Sequence, residues 1–166
     1  ETIHEAMYVA ATGRGGPVLV DIPKDIQNLE TDGSYRFDPD NYEPDLPGFY
    51  YSPAPDRGRM HEAVELINRS DRPIILCGHG IINSGACEKL EEFAQRAKIP
   101  IAFTLHGISA IPADHPLSLG MVGMHGTVEA NRALANSDLI IALGMRFDDR
   151  VTGNVETFGA GAKVIH

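Results

Sequence analysis

An open, doubly wound α/β sheet, parallel and covered by helices on both faces, is the fold class this sequence predicts. Three observations carry it. From about Asp56 onward, short apolar runs alternate with segments of helical period. The runs are near-continuous, as in strands buried on both faces, rather than alternating apolar with polar. The segment after each of the runs 73–77, 100–103 and 138–143 contains glycine, where a chain leaving a sheet needs a turn before the next element.

The elements follow in order. Ile3, Ala6, Met7 and Ala10 recur at helical spacing, with Gly13 as a stop. Val18–Ile22 is a short apolar run closed by Pro23 and reads as a buried strand. Residues 28–58 hold Pro39, Pro44, Pro47, Pro53 and Pro55 and show no sustained period, which predicts a linker laid over a surface. Its aromatic residues (Tyr35, Phe37, Tyr42, Phe49, Tyr50, Tyr51) predict that it packs on something.

Met60, Ala63, Val64 and Ile67 then mark a helix, and Pro73–Cys77 a buried strand. Leu90, Phe93, Ala94 and Ala97 mark the next helix, with Asn83 and Ser84 as cap candidates. Pro100–Phe103 is a strand, Val128–Ala135 a helix, Asp138–Leu143 a strand, and Lys163 begins another. The chain opens without an initiator Met or a capping residue and ends in mid-strand, so it is expected to be a piece of a larger protein.

Composition narrows the function. The 166 residues carry a formal charge of −9, with no Lys/Arg run, which argues against a nucleic acid or an acidic membrane surface as partner. No apolar stretch is long enough for a membrane span. Cys77 and Cys87 lie in apparent core elements without CxxC spacing; they read as packing residues and suit a reducing, cytoplasmic setting.

In sheets of this class, ligands bind beyond the carboxyl ends of the strands. Those ends carry Gly78-His79-Gly80, then Thr104-Leu105-His106-Gly107, then Gly120 to Thr127, then Gly144 to Arg150. Glycine in each lets backbone approach a ligand, and a glycine-rich loop ahead of a helix suits a phosphate. A nucleotide or dinucleotide along this edge is the expectation, although the spacing is not that of the G-x-G-x-x-G fingerprint. His79, His106 and His125 all fall on the edge, but no His pair has i,i+4 spacing, so no metal site is indicated. Asp148 and Asp149, flanked by Arg146 and Arg150, read as locally paired charges ordering a loop, with arginine open to phosphate or carboxylate. Asp114-His115 has no nucleophile-elbow serine to accompany it.

Three runs carry a resemblance. Arg14-Gly15-Gly16-Pro17-Val18-Leu19-Val20-Asp21-Ile22-Pro23-Lys24-Asp25 resembles the segment that closes the first domain of thiamine-diphosphate enzymes. Leu117 to Thr127 and Gly144 to Gly153 resemble the catalytic large subunits of acetolactate synthases within that family. The resemblance implies that residues 1–27 are the tail of a pyrimidine-binding domain, 28–58 an interdomain linker, and 59–166 a central α/β domain truncated at its C-terminal end.

It further implies that this domain holds FAD, while thiamine diphosphate and Mg2+ bind elsewhere in the parent. The fragment would then contain no catalytic residue and be inactive alone. The parent would decarboxylate pyruvate and join the product to pyruvate or 2-ketobutyrate in branched-chain amino-acid biosynthesis. Partners implied are the protein's own N- and C-terminal domains, further copies in a homo-oligomer, and a small regulatory subunit in some forms.

Carried over residue by residue, the implied FAD contacts are Gly78, His79, Gly80, Thr104, Leu105, His106, Gly107, Val122, Gly123, Met124 and His125, then Gly144, Met145, Arg146, Phe147 and Asp148. Asp149 and Arg150 match positions at the mouth of the substrate channel. The chain departs from the pattern in having His79 where glycine is common, His106 where methionine is common, and Asp45 before Leu46-Pro47-Gly48 where some relatives have arginine. Either imidazole is expected to crowd or reshape the flavin pocket. The alternatives are another thiamine-diphosphate carboligase or 2-oxo-acid oxidase, such as glyoxylate carboligase, and a non-catalytic nucleotide-binding or assembly module.

Overall fold

The computed structural model describes residues 1–34, 36–42, 46 and 55–166. They fall into two compact units, Glu1–Pro55 and Asp56–His166. Tyr35, Asp45, Phe49, Tyr50 and Tyr51, named above, lie outside the described residues.

In the first unit, helix α1 spans Thr2–Ala11, as the apolar spacing predicts, and a single turn, α2, spans Lys24–Gln27. Val18–Ile22 is not a strand: the segment pairs with no ladder, and Leu19 is 86% exposed. A strand is a pairing rather than a local state, and among the described residues this run has no neighbour to pair with. Of the aromatic residues expected to pack, two that are described do so. Phe37 and Tyr42 form edge-on contacts with each other and with His4 of α1, at centroid separations of 5.2–5.5 Å. The Tyr42 hydroxyl also donates to the Glu5 carboxylate.

The second unit is the predicted α/β sheet. Helix α3 (Arg57–Arg69) leads into β1 (Pro73–Cys77), followed by the short α4 (His79–Asn83), α5 (Cys87–Ala97) and β2 (Ile101–Phe103). A 3-10 helix (Leu105–Ala110), β3 (Ser118–Met121), α6 (Val128–Ala135), β4 (Leu139–Leu143), α7 (Asp149–Thr152) and β5 (Lys163–Ile165) complete it. The five strands are all parallel, in the order β3-β2-β1-β4-β5. β1 is central, with Ile75 opposite Ile101 on one side and Ile141 on the other.

Side chains alternate across a strand, so each strand feeds two cores. Ile75, Cys77, Ile101, Phe103 and Ile141 pack with Leu90 and Ala94 of α5, and Leu66 and Ile67 of α3 join them. Ile74, Leu76, Ala102 and Ile140 pack with Ala130 and Leu134 of α6 on the other face. Helices therefore cover both faces, which is the doubly wound arrangement. Both cysteines are reduced: Cys77 is fully buried and Cys87 packs at the core's margin.

Two elements differ from expectation. β3 lies in a run read as loop, because Ser-Leu-Gly-Met lacks β-branched residues and breaks register at Gly120, whose φ is +85°. Asn83 and Ser84 do not cap α5; they close α4, and α5 starts at Cys87 with Ala86 as an N-cap that makes no side-chain bond. Among the described residues no helix is long and apolar enough to cross a membrane.

Candidate functional site

The strand order reverses between β1 and β4. Chains leave these two neighbours to opposite faces, and it is at such a reversal, beyond the carboxyl ends of the strands, that ligands of doubly wound folds bind. Every candidate residue lies on the segments that leave this edge. Gly78–Gly80 follow β1, Thr104–Gly107 follow β2, Val122–His125 follow β3 and Gly144–Asp148 follow β4.

Backbone bonds lock these segments together. Gly78 N–H donates to Leu143 O at 2.9 Å and Gly80 N–H to Gly144 O at 2.8 Å, joining the ends of β1 and β4. Thr104 N–H donates to Cys77 O at 2.9 Å, joining β2 to β1, and Val122 N–H donates to Phe103 O at 2.9 Å.

The glycines permit this packing. A β-carbon on Gly78 would come within 2.4 Å of Gly144 O, and one on Gly107 within 2.4 Å of Cys77 O. On Gly123 it would meet Arg150 O at 2.5 Å. The glycines therefore also let backbones approach one another closely.

What the edge offers a ligand is different. Leu105, Met124 and Phe147 are exposed, at 65, 72 and 38%. The N–H groups of Leu105 and His106, in the first turn of the 3-10 helix, have no acceptor among the described residues. Arg146 is exposed and held by Asp148 at 3.2 Å. Exposed apolar side chains, amide donors and a guanidinium on the segments of one sheet edge are the kinds of group that contact flat rings and phosphate. Gly78, Gly107 and Val122 are buried and support this surface from beneath.

His79 and His106 stand together on it, their rings 6.1 Å apart, with His79 Nδ1 2.9 Å from the His106 carbonyl. His125 is exposed farther along the edge. Met145 is partly buried, and its carbonyl is 2.9 Å from His166 Nε2.

Asp148 caps α7, its carboxylate accepting from the N–H groups of Arg150 and Val151 at 3.2 Å. Asp149 and Arg150 are both largely exposed, their charged groups 3.8 Å apart. They border a groove of about 300 Å³ together with Met124, Asn131 and Phe158.

Two residues that shape this region went unread in the sequence. Asn131 clamps Gly123 from both sides: its Oδ1 accepts from Gly123 N–H at 2.9 Å and its Nδ2 donates to Gly123 O at 3.0 Å. Thr127 caps α6 and donates its hydroxyl to Leu119 O at 2.6 Å. The available signals were Thr127 as an N-cap residue at the start of an apolar-periodic segment and a polar amide inside that helix.

A larger groove, about 520 Å³, lies at the opposite, amino-terminal edge, lined by Glu62, Glu65, Arg69, Ser70, Asp138 and Lys163 among others. Asp138, Glu65 and Arg69 are engaged within the protein. Asp138 accepts from the Ser70 hydroxyl and from the N–H groups of Asp71 and Arg72, and Arg69 pairs with Glu65 at 3.3 Å.

Comparison with known proteins agrees with this architecture. The family described as thiamine pyrophosphate enzyme, central domain, matches residues 60–166. The chain is 47% identical over 166 residues to the acetolactate synthase large subunit of Corynebacterium glutamicum. It is also 47% identical to a probable acetolactate synthase large subunit of Methanocaldococcus jannaschii and 44% identical to a chloroplastic acetolactate synthase of Arabidopsis thaliana. The alignments cover 99–100% of the chain but 26, 28 and 24% of those three relatives, so it spans about a quarter of their length. The parallel five-stranded sheet and the match across residues 60–166 together place this chain in the thiamine pyrophosphate enzyme family, as its central domain.

Proposed function

We propose that this chain is the central part of an acetolactate synthase large subunit and that its carboxyl sheet edge holds FAD. One observation supports this above the others. The segments leaving the carboxyl edge of the sheet expose Leu105, Met124 and Phe147, and the amides of Leu105 and His106 have no acceptor among the described residues. The residues proposed to hold the cofactor are those of segments 78–80, 104–107, 122–125 and 144–148, with side-chain contact from His79, Leu105, His106, Met124, Arg146 and Phe147.

The parent's reaction, decarboxylation of pyruvate and transfer of the product to a second 2-oxo acid, is proposed from the similarity over the whole chain. Its thiamine diphosphate and Mg2+ would be held by other parts of the parent, and this segment alone would be inactive. Residues 1–27 would belong to a preceding pyrimidine-binding domain and 28–58 to the linker. Arg150, only loosely paired with Asp149, would stand at the substrate channel and attract a carboxylate. The parent is proposed to work in the cytoplasm as a homo-oligomer, with its own flanking domains and, in some forms, a small regulatory subunit as partners.

Titration of the 166-residue chain with FAD, followed by flavin fluorescence, tests the cofactor reading. Saturable quenching at one equivalent is expected. A linear response with no saturation would count against a flavin site formed by these loops.

A further inference from the structure

Four ties hold the loops at the carboxyl end of β1 to those of its two neighbours. Three are backbone bonds: Thr104 N–H to Cys77 O, Gly78 N–H to Leu143 O, and Gly80 N–H to Gly144 O. The fourth is made by a side chain. His79 Nδ1 lies 2.9 Å from the carbonyl oxygen of His106, twenty-seven residues away in the 3-10 helix that follows β2. A carbonyl can only accept, so Nδ1 must carry the proton and donate it. That assigns the tautomer of the neutral ring and leaves Nε2 as an acceptor.

The two sides of β1 are held by different groups. Toward β4 there are two backbone bonds, and Gly78 and Gly144 interlock so tightly that a β-carbon on either would strike the opposing backbone. Toward β2 there is one backbone bond, Gly107 packs directly on the Cys77 carbonyl, and among the described residues the His79 bond is the side-chain tie to the 3-10 turn. The turn also carries the unpaired Leu105 and His106 amides, so its position sets where those donors point. His79 itself is exposed, and its ring meets the His106 ring edge-on at 6.1 Å.

We infer that His79 is a positioning residue: its Nδ1–H···O=C bond to His106 clasps the loop after β2 to the loop after β1 and holds the Leu105 and His106 amides in place for a dinucleotide ligand. The ligand part of this inference rests on the flavin reading above. The clasp itself can be measured without any ligand.

Amide hydrogen exchange in the full 166-residue chain reads it directly. In His79→Ala, exchange at Thr104 and Gly107 should quicken by about three- to tenfold, the change that corresponds to one hydrogen bond of ordinary net strength. Exchange at Gly78 and Gly80, which are tied to β4, should not change. His79→Asn keeps a side-chain N–H donor near the same reach and should restore slow exchange. His106→Ala keeps the accepting carbonyl and should leave exchange at the wild-type rate. Unchanged exchange at Thr104 and Gly107 in His79→Ala would overturn the clasp.

FAD titration of the same variants decides the ligand role. Affinity should fall in His79→Ala by the factor seen in exchange and recover in His79→Asn. Equal affinity in wild type and His79→Ala would overturn the positioning role while leaving the flavin site intact. No saturable binding by the wild type would overturn the flavin reading and the ligand role with it.

Discussion

Gly107 sits so close to Cys77 that a β-carbon on it would lie 2.4 Å from the Cys77 carbonyl oxygen. That oxygen already accepts from Thr104 N–H, so it cannot move aside without breaking the bond between the ends of β1 and β2. Gly107→Ala is therefore expected to destabilise the fold by about 1–3 kcal/mol, in the range of overpacked interiors, and Gly107→Val by more. Denaturant unfolding checks this, and wild-type stability in Gly107→Ala would refute the packing account. Loss of ligand binding in such a variant would follow from disruption of the loop, not from a side chain filling ligand space.

This pair also shows what the sequence could and could not convey. Glycine at each strand end was legible, and so was the α/β alternation, because near-continuous runs such as Ile74–Cys77 and Leu139–Leu143 have few other fates. Whether the space beside a glycine belongs to a ligand or to another backbone depends on strand order, which local pattern does not contain. The same limit explains two element errors. Val18–Ile22 has strand composition but no ladder, and Ser118–Met121 has a ladder but little strand composition. The clamp of Asn131 on Gly123 links residues eight apart through a helix start, so no short motif announces it.

Asp138 should make stability depend on pH. The Ser70 hydroxyl above all, with the N–H groups of Asp71 and Arg72, holds its carboxyl at about 2, below its ordinary 3.8. A folded-state value below the unfolded one means stability that is fully present above the ordinary value and is lost as pH falls through about 2. The gap in Tm between wild type and Asp138→Ala should be constant from neutral pH down to the ordinary carboxyl range and narrow below it. A gap that widens on acidification would contradict the bond network.

The two cysteines should react very differently. Burial, with a smaller contribution from nearby Cys87, pushes the Cys77 thiol up to about 12. Its thiolate is thus scarce at mildly alkaline pH, and its sulfur is shielded. Iodoacetamide should modify Cys87 in the native protein and Cys77 only after denaturant is added, as peptide mass mapping would show. Early labelling of Cys77 would mean that β1 is not at the centre of the sheet.

Lys98 closes α5 in the left-handed region, at φ 55° and ψ 38°, the one described residue other than glycine with positive φ. Glycine adopts this conformation without the β-carbon penalty, and its greater freedom in the unfolded chain offsets part of that gain. Lys98→Gly is expected to raise stability by about 0.5 kcal/mol, visible as a small rise in Tm. A lowered Tm would show that the Lys98 side chain contributes more than its backbone conformation costs.

The carboxyl edge around the β1–β4 reversal is proposed as the flavin-holding surface. Amide chemical-shift mapping during an FAD titration of isotope-labelled chain tests it most directly. Saturable shifts confined to segments 78–80, 104–107, 122–125 and 144–148 are the predicted result. Shifts centred instead on the amino-terminal groove of Glu62, Arg69 and Lys163, or no saturable shifts anywhere, would contradict it.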